Sequence, residues 1–342
     1  MAKSGWTVAI VGATGAVGGE LMSVLAERSF PVKRLVALAS ERSAGSEVEF
    51  AGEPLKVAPL NDSSFEGVDL ALFSAGAAVS EQYAPLAVRA GAVVVDNTSF
   101  FRMHADVPLV VPEVNPAAVD VHRGILANPN CSTIQAVVAL APLHGLAGLR
   151  RVVYSTYQSA SGAGRQAMEE LKDQTVALLS FRDPPVSRFP RRLAFDCIPQ
   201  IDKFLDDGST KEERKMVEET RKIFDLPGLA VVATCVRVPV FVGHAVAVFV
   251  EFDRSITLEA ARAALRDAPG VVLTEDPTAY PTAVDAAGDD PVLVGRLRVD
   301  PSVPHGLAFW CVADNLRKGA ATNAVQIAEL LASRGRLAPQ VH

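Results

Sequence analysis

The chain has 342 residues, of which 49% are hydrophobic and only 6% aromatic, with a formal net charge of −6. That length exceeds one ordinary core and suits two domains, while the apolar content excludes a disordered or low-complexity chain. The acidic balance speaks against a nucleic-acid partner and leaves room for small anions held by local arginines.

The first elements fall in a clear order. In "WTVAIVGATGAVGGELMSVLAER" an apolar run ends at Gly12, and Val17, Leu21, Val24 and Leu25 follow at helical spacing: strand, glycine turn, helix. Gly12, Gly15 and Gly18 form G-x-x-G-x-x-G, so backbone amides and the helix start can approach a pyrophosphate. The plainer alternative is a glycine turn without a ligand. Further strands at "RLVALAS", "VDLALFSAG" and "AVVVDNTS", with a helix at "SEQYAPLAVRAG", predict a Rossmann-type, doubly wound parallel sheet over residues 1–127. After the second strand, Arg42 and Ser43 favour the 2′-phosphate of NADP, whereas Glu41 keeps NAD open.

Next comes "ANPNCSTIQA", a turn that runs into a helix with Cys131 at its entrance. The free N–H groups and partial positive charge of a helix start favour thiolate over thiol. A free cysteine is equally a common core filler. The longer alternating runs "LRRVVYSTYQSASGAG", "LAVVATCVRVPVFVG" and "HAVAVFVEFD" predict a mostly antiparallel sheet. Helices are expected at "RQAMEELKDQTVALL", "TKEERKMVEETRKIF" and "LEAARAALRDA", making an α+β second domain over 128–313. The final helical stretch, 314–342, would return to the first domain. Between the helices, "SFRDPPVSRFPRR" reads as a proline- and arginine-rich loop that could be mobile.

The four cysteines, at 131, 197, 235 and 311, show no C-x-x-C spacing, so neither a metal site nor a disulfide framework is expected, and a cytoplasmic home is the simplest. The longest apolar stretch is broken by Arg237, Pro239 and His244, which argues against a membrane span. Gln158 stands beside a small-residue loop, and Arg237 and His244 lie seven residues apart. Their plainer readings are a satisfied histidine and a strand arginine facing solvent.

In family order, "GATGAVG", "SERSAG", "DNTSFFRM", "PNCSTIQ", "YQSASGAG", "KEERKMVEETRKI", "RVPVFVGHA" and "VADNLRKGAA" resemble aspartate-β-semialdehyde dehydrogenase. The resemblance implies a glyceraldehyde-3-phosphate dehydrogenase-like architecture with a catalytic and dimerisation domain, and a homodimer. It implies NADP-dependent reductive dephosphorylation of L-aspartyl-4-phosphate to the semialdehyde through a cysteine thioacyl-enzyme, on the route to lysine, threonine and methionine. By the same resemblance Cys131 is the nucleophile, His244 the acid/base, Gln158 the substrate orienter, and Asn130 positions the thioester. Arg237 binds the α-carboxylate, Arg102 and Lys215 the phosphate, and Glu212 the substrate ammonium. Thr14, Gly15, Ala16, Val17, Arg42, Ser43, Ser161, Gly162 and Asn315 join Gly12 as cofactor contacts.

Alternatives stay open on sequence alone. Ser209 and Glu212 have the S-x-x-E spacing of a capping box, so Glu212 could close its own helix instead of binding substrate. N-acetyl-γ-glutamyl-phosphate reductase shares the thioester logic, and a silent NADP-binding paralogue shares the fold. Cys197, Cys235 and Cys311 have no orienter, anchor and base such as Gln158, Arg237 and His244 give Cys131, and read as core thiols.

Overall fold

Aliphatic runs separated by helices build one parallel sheet at the start of the computed structural model, which describes residues 5–337. Its elements are β1 (Trp6–Val11), α1 (Ala16–Glu27), β2 (Val32–Ala39), a small hairpin of β3 (Glu47–Phe50) and β4 (Glu53–Lys56), β5 (Ala58–Pro59), β6 (Leu70–Phe73), α2 (Ala77–Arg89), β7 (Val93–Asp96) and β8 (Ile125–Ala127). The strand order is β5-β2-β1-β6-β7-β8, every pair parallel. The order reverses beside β1, which places a ligand crevice at the carboxyl ends of β1 and β6. Residues 8–11, 70–73 and 93–95 are fully buried, as a sheet covered on both faces requires.

The second set of elements is α3 (Cys131–Ala147), β9 (Leu149–Gln158), α4 (Arg165–Leu179), α5 (Lys211–Ile223), β10 (Ala230–Arg237), β11 (His244–Phe252), α6 (Leu258–Asp267), β12 (Val271–Leu273), the single turn α7 (Ala283–Ala286), β13 (Val292–Asp300) and β14 (Gly306–Ala313). The sheet runs β10-β9-β11-β14-β13-β12. Its three inner pairs are antiparallel, as expected, and its outer pairs β10/β9 and β12/β13 are parallel. Helices stand between the partners of both parallel pairs, and such a crossover is what parallel pairing needs. Helix α3 is buried from Ser132 to Leu140, polar Ser132, Thr133 and Gln135 included, and packs against β9, β11, β14, α5 and α6.

The last helix, α8 (Thr322–Ser333), packs on α1 and β7 and adds Ala324, Val325, Ile327, Ala328 and Leu331 to the same core, and Arg28 holds Glu329 in a two-pronged ion pair at 2.9 and 2.8 Å. Two compact units result: one runs to Asn130 and resumes at Ala320, the other is Cys131–Gly319. The sequence reading set these borders at 127/128 and 313/314. The first falls instead where α3 begins, the second inside a π-helical turn, Arg317–Ala321. Among the described residues no helix is long and apolar enough to cross a membrane.

One further expectation needs correction, and one loop has ties that its sequence does not show. Cys235 and Cys311 are buried, but Cys197 is exposed, with its N–H donated to Asp196. The loop of residues 180–192 lacks helix and strand but is tied to α4. The buried Glu170 carboxylate accepts from Ser187 Oγ and Arg188 N, both at 2.6 Å, and Gln174 takes the N–H groups of Leu193 and Ala194 while donating to the Pro185 carbonyl. Burial pushes the Glu170 carboxyl upward, but these donors outweigh it and hold it below the usual range. The tie therefore persists at neutral pH and is lost only as pH falls through that depressed value.

Glu170→Gln exchanges a charged acceptor for a neutral one and should loosen the arginine-bearing loop. Hydrogen bonds to charged groups contribute about 1.5–3 kcal/mol, so trypsin cleavage at Arg182, Arg188 or Arg191 is expected to accelerate roughly tenfold or more. An unchanged cleavage rate would show that the carboxylate does not restrain the loop.

Candidate active site

Strand direction gathers the catalytic candidates. Gln158 ends β9 and Arg237 ends the parallel strand β10, and the two are register partners. Strand β11 runs the other way, so its first residue, His244, emerges at the same sheet edge. Cys131 opens α3 and is half-buried. It sits so close to the π-turn that a Cβ placed on Gly319 would lie 2.8 Å from the Cys131 Cβ.

Arg237 is buried, not solvent-facing, and its Nη1 donates to the Ser159 carbonyl at 2.6 Å. Burial pulls its pKa down, while Glu212 and Cys131 push it back as nearby negative charges. His244 is fully buried. Its Nδ1 receives the Ser159 N–H at 3.1 Å and lies 3.0 Å from Ser159 Oγ, whereas Nε2 has no hydrogen-bond partner among the described residues. Burial, aided by the Arg237 charge, pushes its pKa down to about 3, so the resting ring is neutral. A Cβ on Gly162 would stand 2.9 Å from both Arg237 Nη1 and His244 Nε2. The residue read from sequence as a cofactor contact therefore also keeps space open over the base and the anchor.

Helix α5 resolves the capping alternative against Ser209. The N-cap is Thr210, whose hydroxyl accepts from Glu213 N while the Glu213 carboxylate accepts from Thr210 N. Ser209 bonds Asp207 instead. Glu213 also takes the Cys235 N–H at 3.0 Å, fixing the helix start to β10. Glu212 is thus spared capping and turns inward, accepting from Gln158 Nε2 at 3.4 Å and Lys215 Nζ at 3.1 Å. Lys215 also meets Asp202, at 3.1 Å, and the two carboxylates overcome burial to raise its pKa.

Asn315 completes this unit's cluster. Its Oδ1 accepts from Ser159 Oγ at 3.1 Å, Ser161 Oγ at 2.9 Å and Gly243 N at 3.0 Å. Ser159, Glu213, Asp202 and Gly319 escaped the sequence reading. Ser159 and Gly319 lie inside quoted motifs, but nothing in the sequence marks the distant atoms they meet.

The first unit holds the remaining candidates. Arg102 is buried, donating Nε to the Asn128 carbonyl at 2.9 Å and Nη2 to the Asn97 carbonyl at 2.8 Å. Asn130 is buried immediately before Cys131 in the chain. The glycine turn at the end of β1 lines a cavity of about 410 Å³ with Thr14, Arg42, Ser43 and Tyr83, and Glu41 is not among its walls. Gly12 has φ +94°, and a Cβ on Gly18 would lie 2.2 Å from the Gly12 carbonyl, so turn and helix pack as a dinucleotide loop requires. Ala16 and Val17 open α1 and do not line this cavity.

Family models described as "Semialdehyde dehydrogenase, NAD binding domain" and "Semialdehyde dehydrogenase, dimerisation domain" match residues 7–122 and 140–318. The chain is 53% identical to aspartate-semialdehyde dehydrogenase of Aquifex aeolicus, covering 97% of this chain and 99% of the relative. It is 50% identical to the Bacillus subtilis enzyme, covering 96% and 97%. The crystal structure of aspartate semialdehyde dehydrogenase II complexed with ASA from Vibrio cholerae matches with a TM-score of 0.93 at 52% identity, covering 96% and 98%.

Gly162→Ala tests the open space over His244 and Arg237. Neither side chain can retreat freely, so turnover should fall roughly 100-fold through misplacement. The same overlap, forced on two buried side chains, should also lower the thermal midpoint, overpacking of a core costing about 1–3 kcal/mol. A fully active alanine variant would show that the gap is not used.

Proposed function

Because the chain belongs to the aspartate-semialdehyde dehydrogenase family, we propose that Cys131, His244, Gln158, Arg237 and Glu212 carry out that family's reaction here, with NADP as the cofactor. The chain is an oxidoreductase interconverting aspartyl phosphate and aspartate semialdehyde, and its first unit binds a nicotinamide cofactor. The observation that carries the site reading is the cluster of Arg237, His244, Gln158 and Glu212 at one sheet edge, in the field of Cys131.

Cys131 Sγ attacks the acyl carbon, the C–O bond to phosphate breaks, and inorganic phosphate leaves a thioacyl-enzyme. His244 takes the thiol proton at Nε2 and returns it when the sulfur departs. Bound NADPH supplies the hydride that reduces the thioester. Amides at the start of α3 face the developing oxyanion, with Asn130 positioning the thioester. Arg237 takes the α-carboxylate as a two-pronged donor.

Glu212 and Lys215 fit opposite ends of the substrate. Glu212 pairs with Lys215 at 3.1 Å. Glu212 takes the substrate ammonium and Lys215 the phosphate; Arg102 of the first unit is assigned to phosphate by the resemblance. A substrate with an acylated nitrogen has no cation to offer there, so Glu212 disfavours the acetylglutamyl reaction.

For the cofactor, the turn at Gly12 to Gly15 receives the pyrophosphate, and Arg42 with Ser43 takes the 2′-phosphate. Their presence in the 410 Å³ cavity, and the absence of Glu41 from its walls, supports NADP over NAD. Ser161, Gly162 and the Asn315 amide group serve the nicotinamide end. A homodimer is proposed through the second unit's open sheet face, where Tyr157, Ala247, Phe249 and Trp310 line an apolar groove of about 500 Å³.

The test is a phosphate-dependent assay with aspartate semialdehyde, run with NADP and with NAD. NADP should be preferred, and Arg42→Ala should raise its KM at least tenfold, the loss of one charge-assisted hydrogen bond. Equal use of both cofactors with an unaltered KM would remove the NADP assignment. Cys131→Ala should abolish turnover; substantial residual rate would remove the covalent route.

A further inference from the structure

We propose that Asn128 is the positioning residue for Arg102: its side-chain amide, braced by Asn323, fixes the two backbone carbonyls that aim the guanidinium at phosphate. This rests on the reading of Arg102 as a phosphate ligand.

Strands β7 and β8 run parallel as far as the pair Asp96 and Ala127, and the Asn128 N–H closes that ladder on the Asp96 carbonyl at 2.8 Å. The next carbonyls, those of Asn97 and Asn128, lie beyond the strands. Arg102 takes both, with Nη2 on Asn97 at 2.8 Å and Nε on Asn128 at 2.9 Å. Each carbonyl is neutral, so this grip aims the guanidinium without pairing its charge. A rigid fork fits two acceptors only at a set separation, and past the strand ends that separation needs another tie.

The tie is a run of three asparagine side chains. Asn323 Nδ2 donates to Asn128 Oδ1 at 2.6 Å, and Asn128 Nδ2 donates to Asn97 Oδ1 at 2.8 Å. An amide turned over exchanges donor for acceptor, so the direction of such a run has to be anchored. Here each nitrogen also meets a backbone carbonyl, which only accepts: Phe73 for Asn97 at 3.1 Å, Ala320 for Asn128 at 3.2 Å and Val110 for Asn323 at 3.0 Å. Turning any one amide over would set oxygen against oxygen. The run therefore has one direction, and Asn128 and Asn323 are both buried.

The run is coupled to Arg102 through the residues themselves. Asn97 and Asn128 are joined by their side chains and grip Arg102 with their own carbonyls, so the amide contact sets the spacing of the two arms. Asn323, near the start of α8, steadies the far side of Asn128. The N–H, carbonyl, amide nitrogen and amide oxygen of Asn128 all have partners within the first unit. Asn128 therefore acts through Arg102 and not on the substrate.

The experiment is steady-state kinetics of the full-length protein oxidising aspartate semialdehyde, with phosphate and semialdehyde varied separately. Asn128→Ala should raise the KM for phosphate about tenfold, the scale of one hydrogen bond to a charged group. The KM for semialdehyde should hold, since Gln158, Arg237 and Glu212 are untouched. Partial unfolding would lower kcat and alter neither KM, so instability does not produce this split. In Arg102→Lys, whose ammonium cannot span both carbonyls, adding Asn128→Ala should raise the phosphate KM less than about twofold further, because partners in one network are not additive. Asn323→Ala leaves Asn97, Asn128 and Arg102 in place and should raise it about threefold, the loss of one neutral hydrogen bond. It replaces Asn128→Ala throughout if that variant does not fold. An unchanged phosphate KM in either asparagine variant, both KM values rising together, or full additivity with Arg102→Lys would overturn the proposal. Arg102→Ala separates the two readings. If it raises the phosphate KM while the asparagine variants do not, the role of Asn128 falls and Arg102 keeps phosphate; if it does not, the phosphate reading falls and the proposal with it.

Discussion

One oxygen atom holds the site's separate segments in place. Asn315 Oδ1 collects the hydroxyls of Ser159 and Ser161, which follow β9, and the N–H of Gly243, which precedes β11. All of these groups are buried, and each donor left without an acceptor would cost about 1–3 kcal/mol. The three-way bond therefore fixes the end of one strand, the start of another and the turn that approaches Cys131. His244 lies one residue beyond Gly243 and takes its Nδ1 partners from Ser159, so its aim depends directly on that oxygen. Arg237 joins the same knot through the Ser159 carbonyl.

Much of the fold was legible because periodicity and glycine placement are local. The glycine turn after β1, the alternating strands of the second unit and the helices α4, α5 and α6 could be located from spacing alone. Strand direction at the sheet margins needed a further inference. Two helices separate β9 from β10, and that interval already implies a crossover and a parallel pair, whereas alternation by itself does not distinguish direction. The capping box shows a finer limit. Ser209 with Glu212 and Thr210 with Glu213 are overlapping solutions of one pattern, each chemically sound. What selects the second is the Cys235 N–H on β10, which occupies the other Glu213 oxygen. A one-residue shift turns Glu212 from a cap into a buried acid beside Gln158, and the deciding contact spans 22 positions of sequence.

The ties of the loop of residues 180–192 are hidden in the sequence for a related reason. Proline and arginine are what a mobile surface segment would contain, and Glu170 and Gln174, four apart on a helix, look like a solvated face. In the protein both turn inward and supply the backbone partners that the loop cannot provide for itself. Cys197 errs the opposite way, because the lack of an orienter, anchor and base says nothing about exposure.

The glycines separate two kinds of necessity that a sequence motif merges. Gly12 and Gly243 have φ of +94° and +91°, a backbone region in which any side chain is strained. Gly162 and Gly319 have ordinary backbone, and what forbids a side chain there is space: one faces Arg237 and His244, the other the Cys131 Cβ. The first pair is demanded by backbone conformation and the second by packing, and at 162 and 319 that packing is against the anchor, the base and the nucleophile themselves. A methyl group at either position would press on one of these side chains as well as on the fold, so the glycines tie the geometry of the site to that of the backbone around it.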